Sequence, residues 1–224
     1  MFSSPKVETA RQQMVDQQVR TWEVLDATVL GVLLQVHRDD FVPASLRNVA
    51  FADCNVPLGH GQIMLAPKLD GRILQALAVN PSDEVLDVGT GSGFLAACLG
   101  RLSARVRSFE VFPDLAERAA ANLAAVAANN VIVEVADALK HSELDRYDAI
   151  AITGSFPIVG NPANNLFARA LKIGGRLFMV EGKGLVMQAI KLTRTAQNEW
   201  QREELFETVI PPLVNIEQPS AFVF

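Results

Sequence analysis

The chain has 224 residues, with 20 Lys plus Arg against 25 Asp plus Glu, a net charge of −5 when histidine is neutral. Half of it is apolar and only 20% is charged, which supplies a buried core, excludes disorder, and suits one domain with a small appendage. The acidic balance removes the general attraction to phosphate backbones and anionic membranes that a basic chain carries, so neither nucleic acid nor a membrane is expected as a partner.

The stretch Met1–Arg20 is polar and lacks the apolar core of a secretory signal. Cys54 and Cys98 stand outside any Cys-x-x-Cys spacing, and no apolar run approaches the roughly 18 residues of a membrane span. A soluble, cytoplasmic protein is expected. From Trp22 onward, Leu25, Val29, Leu33 and Val36 follow at steps of three and four, which predicts one helical face ending at Asp39–Pro43. Asp53 to Pro67, rich in Gly and Pro, reads as a loop, and Leu69, Ile73 and Leu77 mark a helix that stops at Asn80-Pro81.

Beyond Pro81 the rhythm changes to strand, helix, strand. Strands are expected at Glu84–Val88, Arg105–Val111, Val131–Val135, Ala149–Thr153 and Arg176–Val180. Helices lie between them: Leu95, Cys98 and Leu102 mark one, and Pro113 opens another with Leu115, Ala119, Leu123 and Val126 inward. Leu171–Gly175 reads as a helix end turning into the fifth strand, and Ala189–Ile210 as two strands either side of Gln197-Asn198. This alternation predicts an α/β fold with a mainly parallel sheet covered on both faces and an antiparallel finish.

The segment Val85-Leu86-Asp87-Val88-Gly89-Thr90-Gly91-Ser92-Gly93 places glycines between a buried strand and a helix start, where an open α/β sheet binds its ligands. Gly91–Ala96 formally fits the G-x-G-x-x-A dinucleotide pattern, so a nicotinamide or flavin enzyme is one reading. Three acids favour another. Asp87 lies inside the strand, Glu110 closes the second strand where its two oxygens can accept both ribose hydroxyls, and Asp137 follows the third within reach of an adenine amino group. Acids at three successive strand ends suit a cationic adenosyl ligand without phosphates, a character that S-adenosylmethionine has.

Val85–Leu99 resembles motif I of the class I methyltransferases, and in particular the VLEIGTGSGYQAAVLA segment of the protein-L-isoaspartate O-methyltransferases. Val56-Pro57-Leu58-Gly59-His60-Gly61-Gln62 is similar to that family's LPIGYGQTIS loop, the part that singles it out within the superfamily. Met14–Pro43 resembles its N-terminal helices, Tyr147–Ile150 and Leu171–Val180 its later strands, and Val209–Val214 its closing FVPL. The resemblance implies a Rossmann-like methyltransferase fold with an N-terminal helical extension: a helical cap with the substrate loop over 1–80 and the S-adenosylmethionine domain over 81–224, in one compact unit. It implies methylation of the carboxylates of damaged aspartyl residues, for protein repair. The cofactor's site would comprise Asp87, Gly89, Thr90, Gly91, Ser92, Gly93, Glu110, Val111, Asp137, Ala138 and Thr153. His60, Gly61, Gln62, Met64 and Leu65 would face the substrate, a protein or peptide carboxylate.

One position departs from the pattern. The family's active-site serine falls on Leu65, which cannot donate a hydrogen bond. That keeps open a methyltransferase for a different small acceptor, or a binding protein without activity. A carboxylate acceptor is already ionised at pH 7 and needs no general base, so no catalytic dyad is nominated. A hydroxyl or amine acceptor would need one, and His60 is the candidate. The three histidines and two cysteines show no metal-ligand spacing.

Overall fold

The computed structural model describes residues 5–217 apart from 142 and 159. Helix α1 (Pro5–Met14) continues through a π-helical turn, Val15–Val19, and a 3₁₀ turn, Arg20–Trp22, before α2 (Ala27–Gln35). A hairpin of β1 (Val56–Gly59) and β2 (Gln62–Met64) leads into α3 (Pro67–Leu77). Then come β3 (Glu84–Val88), α4 (Phe94–Leu102), β4 (Arg105–Glu110), α5 (Pro113–Ala125), β5 (Val131–Val135) and β6 (Tyr147–Phe156). The short α6 (Leu166–Ala170), β7 (Leu171–Lys183), β8 (Val186–Ala196) and β9 (Glu199–Thr208) complete the chain.

The main sheet has seven strands in the order β5-β4-β3-β6-β7-β8-β9. The first five run parallel, and β8 and β9 return antiparallel across a turn at Gln197-Asn198, as the two β-like stretches predict. Strand order reverses between β3 and β6. At such a switch point the crossover helices leave opposite faces and open a crevice beyond the strand ends. One buried cluster joins Val19, Leu33, Leu65 and Ile73 to Val85, Ala151 and Phe178, so the helices before β3 share a core with the sheet.

Three expectations need correction. The helical face does not begin at Trp22: Glu23 takes a left-handed φ of 61°, and Asp26 caps a new helix by accepting from the Thr28 and Val29 N–H groups. A capping aspartate outcompetes periodicity there, and Leu25 is left 71% exposed. The stretch Asp53–Pro67 is not a plain loop but carries the hairpin, whose turn is made by Gly59, His60 and Gly61. Finally, the helix before the fifth strand stops at Ala170. Leu171–Gly175 belongs to β7, with a register shift against β6 where three extra residues are accommodated.

The N-terminal half is tied down by Arg38, which is fully buried. Its guanidinium donates to the Ala50 carbonyl at 3.0 Å, to Asp70 Oδ2 at 2.7 Å and, in a short contact, to the Leu65 carbonyl. It also lies 5.0 Å over the Phe94 ring. Burial pushes the Asp70 carboxyl up to about 7 and the guanidinium down, and the bond between them opposes both shifts. Removing one partner of such a pair strands the other. Arg38→Leu is therefore expected to lower the unfolding free energy by about 3–5 kcal/mol in a denaturant titration, and Arg38→Leu with Asp70→Leu to recover most of the loss.

Candidate functional site

A crevice opens at the switch point, lined from the carboxyl ends of β3, β4 and β5, from β6, from the hairpin and from Pro211–Val214. Its floor is the glycine bend after β3. Gly89, Gly91 and Gly93 take φ of 93°, 55° and 86°, which side chains rarely adopt. A Cβ on Gly89 would lie 2.4 Å from Thr153 Oγ1. That hydroxyl donates to the Val88 and Gly89 carbonyls, each at 3.0 Å, and so fastens the bend to β6.

Glu110, at the end of β4, is 5% exposed. The Gly91 N–H donates to its Oε2 at 2.8 Å and the Phe112 N–H to its Oε1 at 3.1 Å. Both carboxylate oxygens are thereby fixed at the edge of the cleft, and each keeps lone-pair capacity for a ligand hydroxyl. Asp137 follows β5 and accepts from the Leu139 N–H at 3.1 Å and from Asn215 Nδ2 at 3.0 Å.

Asp87 lies below the bend, 1% exposed. Its Oδ2 accepts from Ser108 Oγ at 2.6 Å, and Ser108 is itself 2.6 Å from Thr90 Oγ1. Its Oδ1 is buried and has no hydrogen-bond partner among the described residues. Burial pushes this carboxyl up to about 7; the Ser108 hydroxyl opposes the shift and neighbouring Glu110 adds to it. An unpaired buried acceptor is costly, and a cationic ligand above the bend would offset that cost.

Of the predicted residues, the structure brings Gly89, Gly91, Glu110, Val111, Asp137, Ala138 and Thr153 to the cleft, with Gln62 from the hairpin. Thr90 and Asp87 face Ser108 instead, Gly93 packs on α5, and Ser92 lines a neighbouring groove. His60, Gly61, Met64 and Leu65 do not line the cleft. Leu65 borders a small apolar pocket with Phe178, Val180, Phe206 and Ile210, which meets the cleft at Thr153. Sequence reasoning did not single out Ile63, Gly154 or the segment Pro211–Val214 as cleft walls. The likeness of Val209–Val214 to a family terminus was the available signal. The segment is held by the Ser155 N–H donating to Pro211 at 2.8 Å and the Leu213 N–H to Ser155 at 2.9 Å, and a Cβ on Gly154 would lie 2.7 Å from Leu213 Cα.

The protein-L-isoaspartate(D-aspartate) O-methyltransferase family matches residues 9–218. This chain belongs to that family. A Rhodopseudomonas palustris protein-L-isoaspartate O-methyltransferase 1 is 34% identical to it, covering 92% of this chain and 84% of the relative. A Pelobacter propionicus protein-L-isoaspartate O-methyltransferase 2 is also 34% identical, over 94% and 92%. Among solved structures, a Plasmodium falciparum protein described as a protein-L-isoaspartate O-methyltransferase, in complex with S-adenosyl-L-homocysteine, matches with a TM-score of 0.76 at 19% identity, covering 91% of this chain and 97% of that one. The expected family, α/β fold and methyltransferase class, with S-adenosylmethionine as cofactor, agree with this membership. No helix among the described residues is long and apolar enough to cross a membrane, and no group of three or more His, Cys, Asp or Glu among them is placed to hold a metal.

A group whose pKa is raised on folding holds more protons folded than unfolded between the two values, so stability falls as pH rises through that window. For Asp87 the window runs from about 4 to about 7. Asp87→Asn is expected to stabilise the ligand-free protein by roughly 2–4 kcal/mol at pH 8, with the difference fading below about pH 4. Denaturant titrations at several pH values check this. A difference that does not change with pH would show that Asp87 is not the buried, strained acid described.

Proposed function

We propose that this chain transfers the methyl group of S-adenosylmethionine to the side-chain carboxylate of an isoaspartyl residue in a damaged protein. The observation that carries this reading is the Glu110 carboxylate, oriented by two main-chain N–H groups beside the glycine bend, in a cleft with no Lys, Arg or His among its described lining residues. Such a wall favours a cation and disfavours the pyrophosphate of a dinucleotide. When bound, the cofactor supplies a methyl group activated by a positively charged sulfur.

The residues divide the task by chemistry. Glu110 would accept the two ribose hydroxyls and Asp137 the adenine amino group. Asp87 would balance the charge of the methionyl ammonium from beneath the bend, while Gly89 and Gly91 let the main chain come close. The acceptor carboxylate is ionised at neutral pH, which accords with a cleft whose described lining offers no base beyond the acids assigned to the cofactor. The remaining work is orientation and the exclusion of water. The hairpin and the Pro211–Val214 segment supply the opposing walls for both. Leu65 contributes no donor, so the Gln62 amide is the hairpin side chain available to hold the acceptor.

Purified protein is expected to move labelled methyl from S-adenosylmethionine to an isoaspartyl peptide and not to its ordinary aspartyl isomer. Normal cofactor binding without transfer to that peptide would sink the acceptor assignment. Glu110→Ala is expected to weaken cofactor binding about tenfold or more by calorimetry, since it removes hydrogen bonds to a charged group. Leu65→Ser, which buries a hydroxyl beside Phe178, Val180, Phe206 and Ile210, is expected to lower the unfolding free energy by about 2–5 kcal/mol in a denaturant titration.

A further inference from the structure

We propose that His60 is a positioning residue whose side chain latches the Val56–Met64 hairpin onto the start of α5, holding one wall of the cofactor cleft closed and setting the rate of cofactor exchange. The proposal rests on the reading of that cleft as the S-adenosylmethionine site.

The hairpin turn carries three consecutive left-handed residues, with φ of 104° at Gly59, 52° at His60 and 70° at Gly61. For histidine this conformation is unfavourable, and it persists only where the surroundings over-determine it. Here they do. The imidazole stacks on the Phe112 ring with centroids 4.2 Å apart and planes 9° from parallel, and its Nε2 lies 2.9 Å from Asp114 Oδ1. Arg118, one turn further along α5, donates to the Leu58 carbonyl at 3.0 Å and to Asp114 Oδ2 at 3.3 Å. The first turns of α5 thus grip the hairpin at its tip and along β1.

The two ends of the hairpin are held differently. At the base, Val56 and Met64 are buried and Arg38 holds the Leu65 carbonyl. At the tip, the His60 and Asp114 side chains remain 42% and 57% exposed. Exposed contacts break and re-form at small cost, so motion is allowed at the tip and denied at the base. The tip's position matters to the cleft because Gln62 and Ile63 wall it, and Leu58 packs over Gly91, 3.1 Å from where a Cβ would stand. Phe112 links latch and site directly: its ring carries His60 and its N–H donates to Glu110. His60 itself does not line the cleft, so its action runs through these neighbours and not through a proton passed to the acceptor.

The test compares wild type with His60→Asn, which tolerates left-handed backbone but cannot stack, and with His60→Tyr, which restores a ring. Stopped-flow displacement of S-adenosylhomocysteine is expected to show about three- to tenfold faster dissociation from His60→Asn, the loss of one aromatic pair, with recovery in His60→Tyr. Phe112→Leu is expected to give a similar increase, and the double variant no more than either alone. Hydrogen exchange of the 56–64 amides in cofactor-free protein is expected to quicken in His60→Asn while that of the seven-stranded sheet is unchanged. Wild-type exchange and wild-type dissociation in His60→Asn would overturn the latch. Wild-type protein that fails to bind S-adenosylhomocysteine would instead overturn the cofactor reading, and hydrogen exchange would still decide the latch.

Discussion

The hydrogen bond from the Gly91 N–H to the Glu110 carboxylate joins the ends of the neighbouring strands β3 and β4, beside the reversal of strand order between β3 and β6. Three elements depend on it. The glycine bend keeps its left-handed path because Glu110 takes its amide on one side and Thr153 takes the carbonyls of Val88 and Gly89 on the other. The start of α5 is set by the second oxygen of the same carboxylate, through the Phe112 N–H. The hairpin then rests on both, with Leu58 against Gly91 and His60 against Phe112. A carboxylate that accepts two main-chain N–H groups is held by them, and it remains a hydrogen-bond acceptor toward the cleft.

The cleft walls come from distant parts of the chain, and each has its own anchor. The hairpin is anchored by Arg38, whose donors reach Ala50, Leu65 and Asp70. The Pro211–Val214 segment is anchored by Ser155 on β6 and by Asn215, which reaches Asp137. A buried ion pair such as Arg38–Asp70 adds little net stability over a well-packed apolar pair, but it fixes one arrangement because its charges tolerate no other. The Asp87–Ser108–Thr90 chain follows the same logic beneath the bend, with one oxygen of Asp87 left unpaired among the described residues.

Much of this architecture was legible in the chain's rhythm. Strands from Glu84 to Val180 showed as short β-favouring runs, Pro113 marked the first turn of α5, and the acids Glu110 and Asp137 stood at strand ends where an α/β sheet binds ligands. The misplaced elements share a cause. Trp22 and Leu25 fitted a helical period, yet Glu23 and the Asp26 cap interrupt it. Glycine and proline in Asp53–Pro67 signalled loop, yet the same residues make the tight turn of a hairpin. Local signals gave the punctuation correctly there but not what it separated.

The sequence alone determined the α/β class, the glycine bend and the acids around it, because strand alternation, left-handed glycines and strand-end carboxylates are properties of residues close together in the chain. Tertiary structure decided what closes over them. That Pro211–Val214 walls the cleft, that Arg38 holds Leu65 from 27 positions away, and that His60 stacks on Phe112 are contacts between segments far apart in sequence. No local pattern encodes them, since each exists only when the sheet order brings its partners together.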